Sequence, residues 1–289
     1  MLQKDNRERQ SDQVKCNLPV DWCCIAAVNK PEILAANLAA SPSLIQRPDL
    51  LEIQVDQPSA SIAYNRGLER TGAEIVVFAH QDVYLPKGWD EILAQRVREL
   101  DSFDPDWAVA GLIGLTPDNH VCGHVWSTGL ARDIGGPFDL PERTICVDEL
   151  LIILRRSSGL SFDSGLPSFH LYGTDIVQSA LKVGLGAYIV HAPVIHNSQP
   201  VQMLEGGYTE AYRYMQKKLA DRLPITTLIA DLVPGDLILD KQKEYSRLRN
   251  WRNYLSRRWR LFGKDWRWVI TRPSAQSIAG RIGYEEGKE

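Results

Sequence analysis

The run Ile75-Val76-Val77-Phe78-Ala79 is apolar without alternation, and His80-Gln81-Asp82 follows it at once. A short β-branched run bounded by polar residues reads as a strand buried on both faces, so a sheet must be covered by helices on each side. The polar triplet then emerges at the carboxyl end of that strand, where open α/β sheets bind ligands.

The same rhythm recurs along the chain. The apolar run at 22–28 and the stretch Leu51-Glu52-Ile53-Gln54-Val55 read as strands that end at Asn29 and Asp56. Between them Pro31 opens a helix through Ala40 that stops at Ser41-Pro42, and a second helix spans 61–71. Asp90 caps a third helix whose Ile92, Leu93, Val97 and Leu100 share a face, and 107–115 reads as one strand. Alternating strands and helices predict an α/β fold with a mostly parallel sheet and right-handed crossovers.

Regular patterning fails over 116–143, which reads as a lid, a binding loop or disorder. A strand is predicted over 147–154 with Asp148-Glu149 interrupting it, a helix from Thr174-Asp175 to Gly184, strand-like pieces at 188–190 and 194–195, and a helix over 208–223. No internal repeat is evident.

With 289 residues and 44% hydrophobic content, the chain can bury one large core plus a tail. The expected division is a flexible N-terminus at 1–20, a main domain at 21–235 and a basic extension at 236–289. The formal charge of −3 hides a local excess, because residues 241–273 hold 11 Lys/Arg against two Asp/Glu, with Trp251, Trp259, Trp266 and Trp268 among them. That mixture suits an anionic membrane face, a partner protein or an acidic acceptor, or else a helix packed by its Trp/Leu face; a nucleic-acid partner is not expected.

Five cysteines follow no paired framework and no metal-type spacing, which fits free thiols in a reducing compartment. The chain start lacks an apolar signal region, and no stretch approaches the roughly 18–20 apolar residues of a membrane span. The expectation is a cytoplasmic protein, with peripheral membrane or protein contact through the basic stretch.

If the strands are parallel, Asp56, His80-Gln81-Asp82, Asp175 and His196 share one rim. Such a rim can accept hydrogen bonds from a base or ribose, hold a divalent cation between carboxylate and imidazole, and take a proton from a nucleophile. Each residue also has a plainer reading. Asp175 suits the charge preferred in a first helical turn with Thr174 as cap, Asp82 and Asp56 suit turns, and His196 suits a satisfied structural histidine. Asp148-Glu149 face either solvent or an acceptor groove.

The order of these segments over 21–200 resembles the family-2-like glycosyltransferases of GT-A fold. Val28-Asn29-Lys30-Pro31-Glu32, Asp56, Asn65-Arg66-Gly67, His80-Gln81-Asp82 in the place of a DxD motif, and Phe169-His170-Leu171-Tyr172-Gly173-Thr174-Asp175 carry the resemblance. It implies a GT-A-type mixed, mostly parallel sheet flanked by helices, and inverting transfer of a sugar from a nucleoside-diphosphate sugar to a hydroxyl of a glycan, lipid-linked or small-molecule acceptor. It also implies donor contacts by Asn29, Asp56, Asn65, His80, Gln81 and Asp82, a divalent metal (Mn²⁺ or Mg²⁺) at Asp82 and His196, and Asp175 as general base. Only the last acid of DxD is present, which keeps open a non-catalytic nucleotide- or glycan-binding relative, or an interaction protein acting through its basic tail.

Overall fold

The computed structural model describes residues 20–198, 207–235 and 275–284. The N-terminus expected to be flexible, save Val20, and the basic stretch 241–273 lie outside the described residues.

The strand β1 (Trp22–Val28) sends Trp22, Cys24, Ala26 and Val28 into one core and Cys23 and Ile25 into the other. Helices α1 (Pro31–Ala36) and α2 (Pro42–Gln46) lead to β2 (Leu51–Val55), and α3 (Ala60–Arg70) returns to β3 (Ile75–His80). Ser59 caps α3 by accepting from the Ile62 N–H at 3.3 Å. A Cβ at Gly67 would come 2.4 Å from Ile25 Cγ2, so the missing side chain lets α3 lie close on β1.

The chain continues through β4 (Val83–Tyr84), α4 (Trp89–Phe103), β5 (Trp107–Gly111), β6 (Ile113–Leu115), β7 (Val121–Ser127), β8 (Arg132–Gly135), β9 (Glu142–Arg143), β10 (Cys146–Val147) and β11 (Leu151–Arg155). Next come α5 (Tyr172–Lys182), β12 (Gly186–Ile189), β13 (Ile195–His196), α6 (Tyr208–Lys218) and α7 (Ala275–Arg281). The seven-stranded main sheet has the order β2-β1-β3-β11-β5-β12-β9, with only β11 and β9 antiparallel to the rest. The predicted mixed, mostly parallel sheet flanked by helices is therefore what forms. Side chains of α1, α4 and α7 fill one core, and those of α3, α5 and α6 the other.

Several boundaries differ from the sequence expectation, each for a local reason. The run 107–115 is two strands, because the chain leaves the main sheet after Gly111 and enters a second sheet of order β10-β6-β7-β13-β4. The run 147–154 is likewise split at Asp148-Glu149, and its second half turns antiparallel between β3 and β5. Continuous apolar runs do not record which sheet a strand joins. The segment 116–143 is mostly ordered, with β7 and β8 paired antiparallel.

Helix starts moved as well. Gly88, at φ 83°, occupies the cap of α4, leaving Asp90 in the first turn where its charge suits the helix dipole. Leu171 occupies the cap of α5, so Thr174 and Asp175 lie inside the helix. Ser41-Pro42 opens α2, and the Ser41 hydroxyl accepts from the Leu85 N–H at 2.9 Å. Helix α6 ends at Lys218, short of the expected Leu223.

Cys23, Cys24, Cys122 and Cys146 are unpaired thiols, and burial pushes Cys146 up to about 11. Ile278, Ile282 and Tyr284 pack into the core, and the Tyr284 hydroxyl donates to the Pro193 carbonyl at 2.5 Å. Among the described residues, no helix is long and apolar enough to cross a membrane.

Trp89 has no exposed surface, packs edge-on against Trp22 at 5.8 Å and donates its indole N–H to the Ala192 carbonyl at 3.1 Å. Trp89→Ala empties that volume and orphans the carbonyl. A destabilisation of about 3–5 kcal/mol is expected, read as a lower urea midpoint at unchanged slope.

Candidate active site

The parallel strands β1, β2 and β3 end together, and a cleft of about 520 Å³ opens there, a size suited to a small ligand. Asn29, Asp56, Gln57, His80, Gln81, Asp82, Phe169 and Tyr172 are among its walls. Its rigidity begins with Gln81. The Gln81 amide donates to Asn29 Oδ1 at 2.7 Å, and its Oε1 accepts from the N–H groups of Asn29 and Lys30 at 3.3 and 3.0 Å. One side chain thus ties the end of β3 to the end of β1.

Asp56 leaves β2 with φ 49°, a left-handed conformation that Asp tolerates better than most residues. Its N–H donates to the Val28 carbonyl at 3.0 Å, and its side chain stays exposed at the cleft wall.

The floor carries the chemistry. A two-residue pairing of β13 with β4 sets His196 opposite Val83 and brings its Nε2 to 3.3 Å from Asp82 Oδ1. The His80 ring lies 5.8 Å from that of His196, and its Nε2 is 2.8 Å from the Tyr172 hydroxyl. That hydroxyl in turn donates to the Glu149 carbonyl at 2.9 Å. The Tyr172 ring packs against Tyr64 and Phe162 at 5.5 and 6.0 Å between centroids, and both of those rings pack on Phe78 at 4.8 Å.

Electrostatics distinguish the two imidazoles. Burial lowers the His80 pKa, and His196 lowers it further against the pull of Asp82 and Asp148. Burial also works against a charged His196, but the hydrogen bond and charge of Asp82 outweigh it, and the net shift is upward. Asp82 is lowered overall: burial opposes its charge, and His196, then His80, overcome that cost.

One ligand atom each from His80, Asp82 and His196 lies within 4.8 Å of the others, close enough for a single cation to span. Two imidazole nitrogens and one carboxylate oxygen fit a divalent first-row transition metal better than Mg²⁺, which prefers an all-oxygen shell. His80 thus joins Asp82 and His196 in the cluster, whereas the sequence expectation put only the last two at a metal.

Two other predicted residues are not brought to the cleft. Asn65 faces away and clasps the 162–164 loop, donating to the Phe162 carbonyl at 2.7 Å and accepting from its N–H at 2.9 Å. Asp175 is 1% exposed in the first turn of α5, with Lys218 Nζ 2.6 Å from its Oδ1 and 2.7 Å from Asp163 Oδ2. Burial raises the Asp175 pKa, against the hydrogen bond and charge of Lys218. The site residues that sequence reasoning missed are Gln57, Phe169 and Tyr172. Phe169 and Tyr172 lie in the segment 169–175, of which only the last acid was assigned a role, and Gln57 directly follows Asp56.

No family model matches the chain. A curated relative from Fuscovulum blasticum, "ATP synthase subunits region ORF 6", is 29% identical over 144 residues, covering 46% of this chain and 55% of the relative. The chain thus spans about half the length of the curated relative it matches. Among solved structures, the Pyrobaculum calidifontis mannosyltransferase PcManGT in complex with GDP-Man and Mn²⁺ is similar at a TM-score of 0.43 and 15% identity, covering 93% of this chain and 78% of that one. An S. aureus TarS fragment is similar at a TM-score of 0.41 and 11% identity, covering 70% of this chain and 66% of that one.

Lys218 neutralises a carboxylate that has almost no access to water. Lys218→Met should destabilise the fold by about 3 kcal/mol, at the low end for a broken buried pair because Lys218 is 28% exposed. Adding Asp175→Asn to that variant should restore part of the loss, as a urea double-mutant cycle would reveal.

Proposed function

We propose that the chain is a metal-assisted glycosyltransferase that moves a sugar from a nucleoside-diphosphate donor to a hydroxyl acceptor with inversion. The observation that carries this reading is the His80/Asp82/His196 cluster on the floor of a cleft at the carboxyl ends of three parallel strands. Asn29 and Asp56 stand on the wall beside it, with acceptors suited to a base or ribose. Asp82, His196 and His80 are the residues that would hold the cation, and a divalent cation supplies positive charge to a leaving diphosphate.

The protein's own groups do the rest in this reading. Gln81 keeps the cleft wall in place, and the Tyr172 hydroxyl orients the His80 ring by its bond at 2.8 Å. Phe169, 42% exposed at the cleft, offers an apolar face to a sugar or base. Asn65 acts indirectly, by holding the 162–164 loop.

The test is binding of UDP and GDP to the full chain with Mn²⁺, followed by calorimetry and thermal unfolding. A nucleotide present at 100 times its Kd should stabilise the fold by about 2.7 kcal/mol. Asp82→Ala and His196→Ala should each abolish the Mn²⁺-dependent part, and Mg²⁺ should support weaker binding. Binding without turnover of any nucleotide-sugar would replace the enzyme by a nucleotide-binding relative. Unchanged Mn²⁺ dependence in Asp82→Ala would overturn the site.

A further inference from the structure

A second, smaller hollow has Asp148, Glu149, His170, Thr174, Tyr208 and Ile229 among its walls, and Glu149 joins it to Tyr172 of the cleft through the Tyr172 hydroxyl. Its volume of about 30 Å³ holds about two water-sized groups, so it admits the tip of a ligand and not a whole sugar.

Three features mark it as built for a polar group. The Tyr208 side chain is 2% exposed, yet its hydroxyl finds no hydrogen-bond partner among the described residues. Buried hydroxyls are almost always satisfied, so this one is open to a partner that the described residues do not supply. Gly173 lets α5 begin tight against the turn after β10, since a Cβ there would lie 2.6 Å from the Val147 carbonyl and 3.1 Å from Glu149 Cγ. Ser168 and Leu171, with φ 64° and 65°, flank Phe169 in the cleft and His170 in the hollow. Backbone strain in non-glycine residues concentrates at working sites.

We propose that this hollow receives the attacking hydroxyl of the acceptor, with the Tyr208 hydroxyl as its hydrogen-bond partner and the Glu149 carboxylate as the group that takes its proton. The proposal rests on the glycosyl-transfer reading. The acceptor oxygen forms its bond to the anomeric carbon while the bond from that carbon to the diphosphate oxygen breaks. The bonding pair leaves with the diphosphate, and the hydroxyl proton passes to Glu149.

The walls also define the class of acceptor. They carry two carboxyl groups, and no Lys or Arg is among the described residues that line the hollow. A phosphate or carboxylate at the reacting end is repelled there, whereas a neutral sugar or polyol hydroxyl is accepted.

Glu149 suits the task for physical reasons. Burial first and the Asp148 charge second push its carboxyl up to about 8, against the pull of the N–H groups of Gly173, Leu171 and Tyr172. The titratable groups around it are Asp148, Cys146, Tyr64, Tyr172, Tyr208 and His170. A carboxylate with so high a proton affinity is a better base toward a hydroxyl than an exposed one. Asp175 lacks this position, because Lys218 occupies its carboxylate at 2.6 Å.

The experiment follows hydrolysis of a nucleotide-sugar panel by the full chain with Mn²⁺ as a function of pH, water standing in for the acceptor. Hydrolysis by the unaltered chain should rise through pH about 8, with Glu149 losing its proton. Glu149→Gln should lose this limb and about 100-fold or more in kcat. Asp148→Asn should keep the limb and move it to lower pH, because it removes a charge that raises Glu149. Tyr208→Phe should raise KM for methyl glycoside acceptors about tenfold and leave the pH of the limb in place, since it removes no charge beside Glu149. Calorimetry with UDP and GDP runs alongside. A chain that binds neither nucleotide, or binds and turns over no donor, overturns the glycosyl-transfer reading and this proposal together. Retained binding with Glu149→Gln turnover within about twofold of the unaltered chain overturns this proposal alone.

Discussion

Strand β3 is buried on both faces, and the architecture follows from that constraint. Val77 and Ala79 face one core while Val76 and Phe78 face the other, so helices must cover both sides and polar groups can leave only through the ends of the sheet. His80, Gln81 and Asp82 come where the helices no longer cover the strand, and all three remain half-buried. The polar triplet is therefore both the end of the strand and the start of the cleft.

Gln81 and Tyr172 convert that edge into a defined site. Gln81 bonds the end of β1 through three hydrogen bonds, and Tyr172 links the His80 ring to the turn that carries Asp148 and Glu149. The aromatic packing of Tyr64, Phe78 and Phe162 behind Tyr172 resists rotation of that ring. Charge is distributed across the same framework: Asp148 is felt at His80, His196 and Glu149, so the cleft and the smaller hollow share one electrostatic field.

The strands at 22–28 and 75–80 were legible because both cores draw apolar residues from them, leaving unbroken runs, and 51–55 was legible from its alternation at the sheet edge. The same logic misled at 107–115, where two strands in different sheets are equally apolar and nothing local records the switch at Gly111. Helix starts were legible where a side chain caps them, as at Ser59, and obscure where a left-handed backbone does so, as at Gly88 and Leu171. Asp175 drew attention as the last acid of a segment, but its chemistry depends on Lys218, which arrives from a later helix.

The sequence by itself determined an α/β sheet covered on both sides and a polar rim at the ends of its first strands. Those properties arise from the local order of apolar and polar residues. Tertiary structure alone decided which polar residues meet. The pairing of β13 with β4 sets His196 beside Asp82, Lys218 closes over Asp175, and Gly173 admits Glu149 to the start of α5. Each of these contacts joins segments far apart in the chain, and the energy of a cation or a proton at such a place depends on distance and burial.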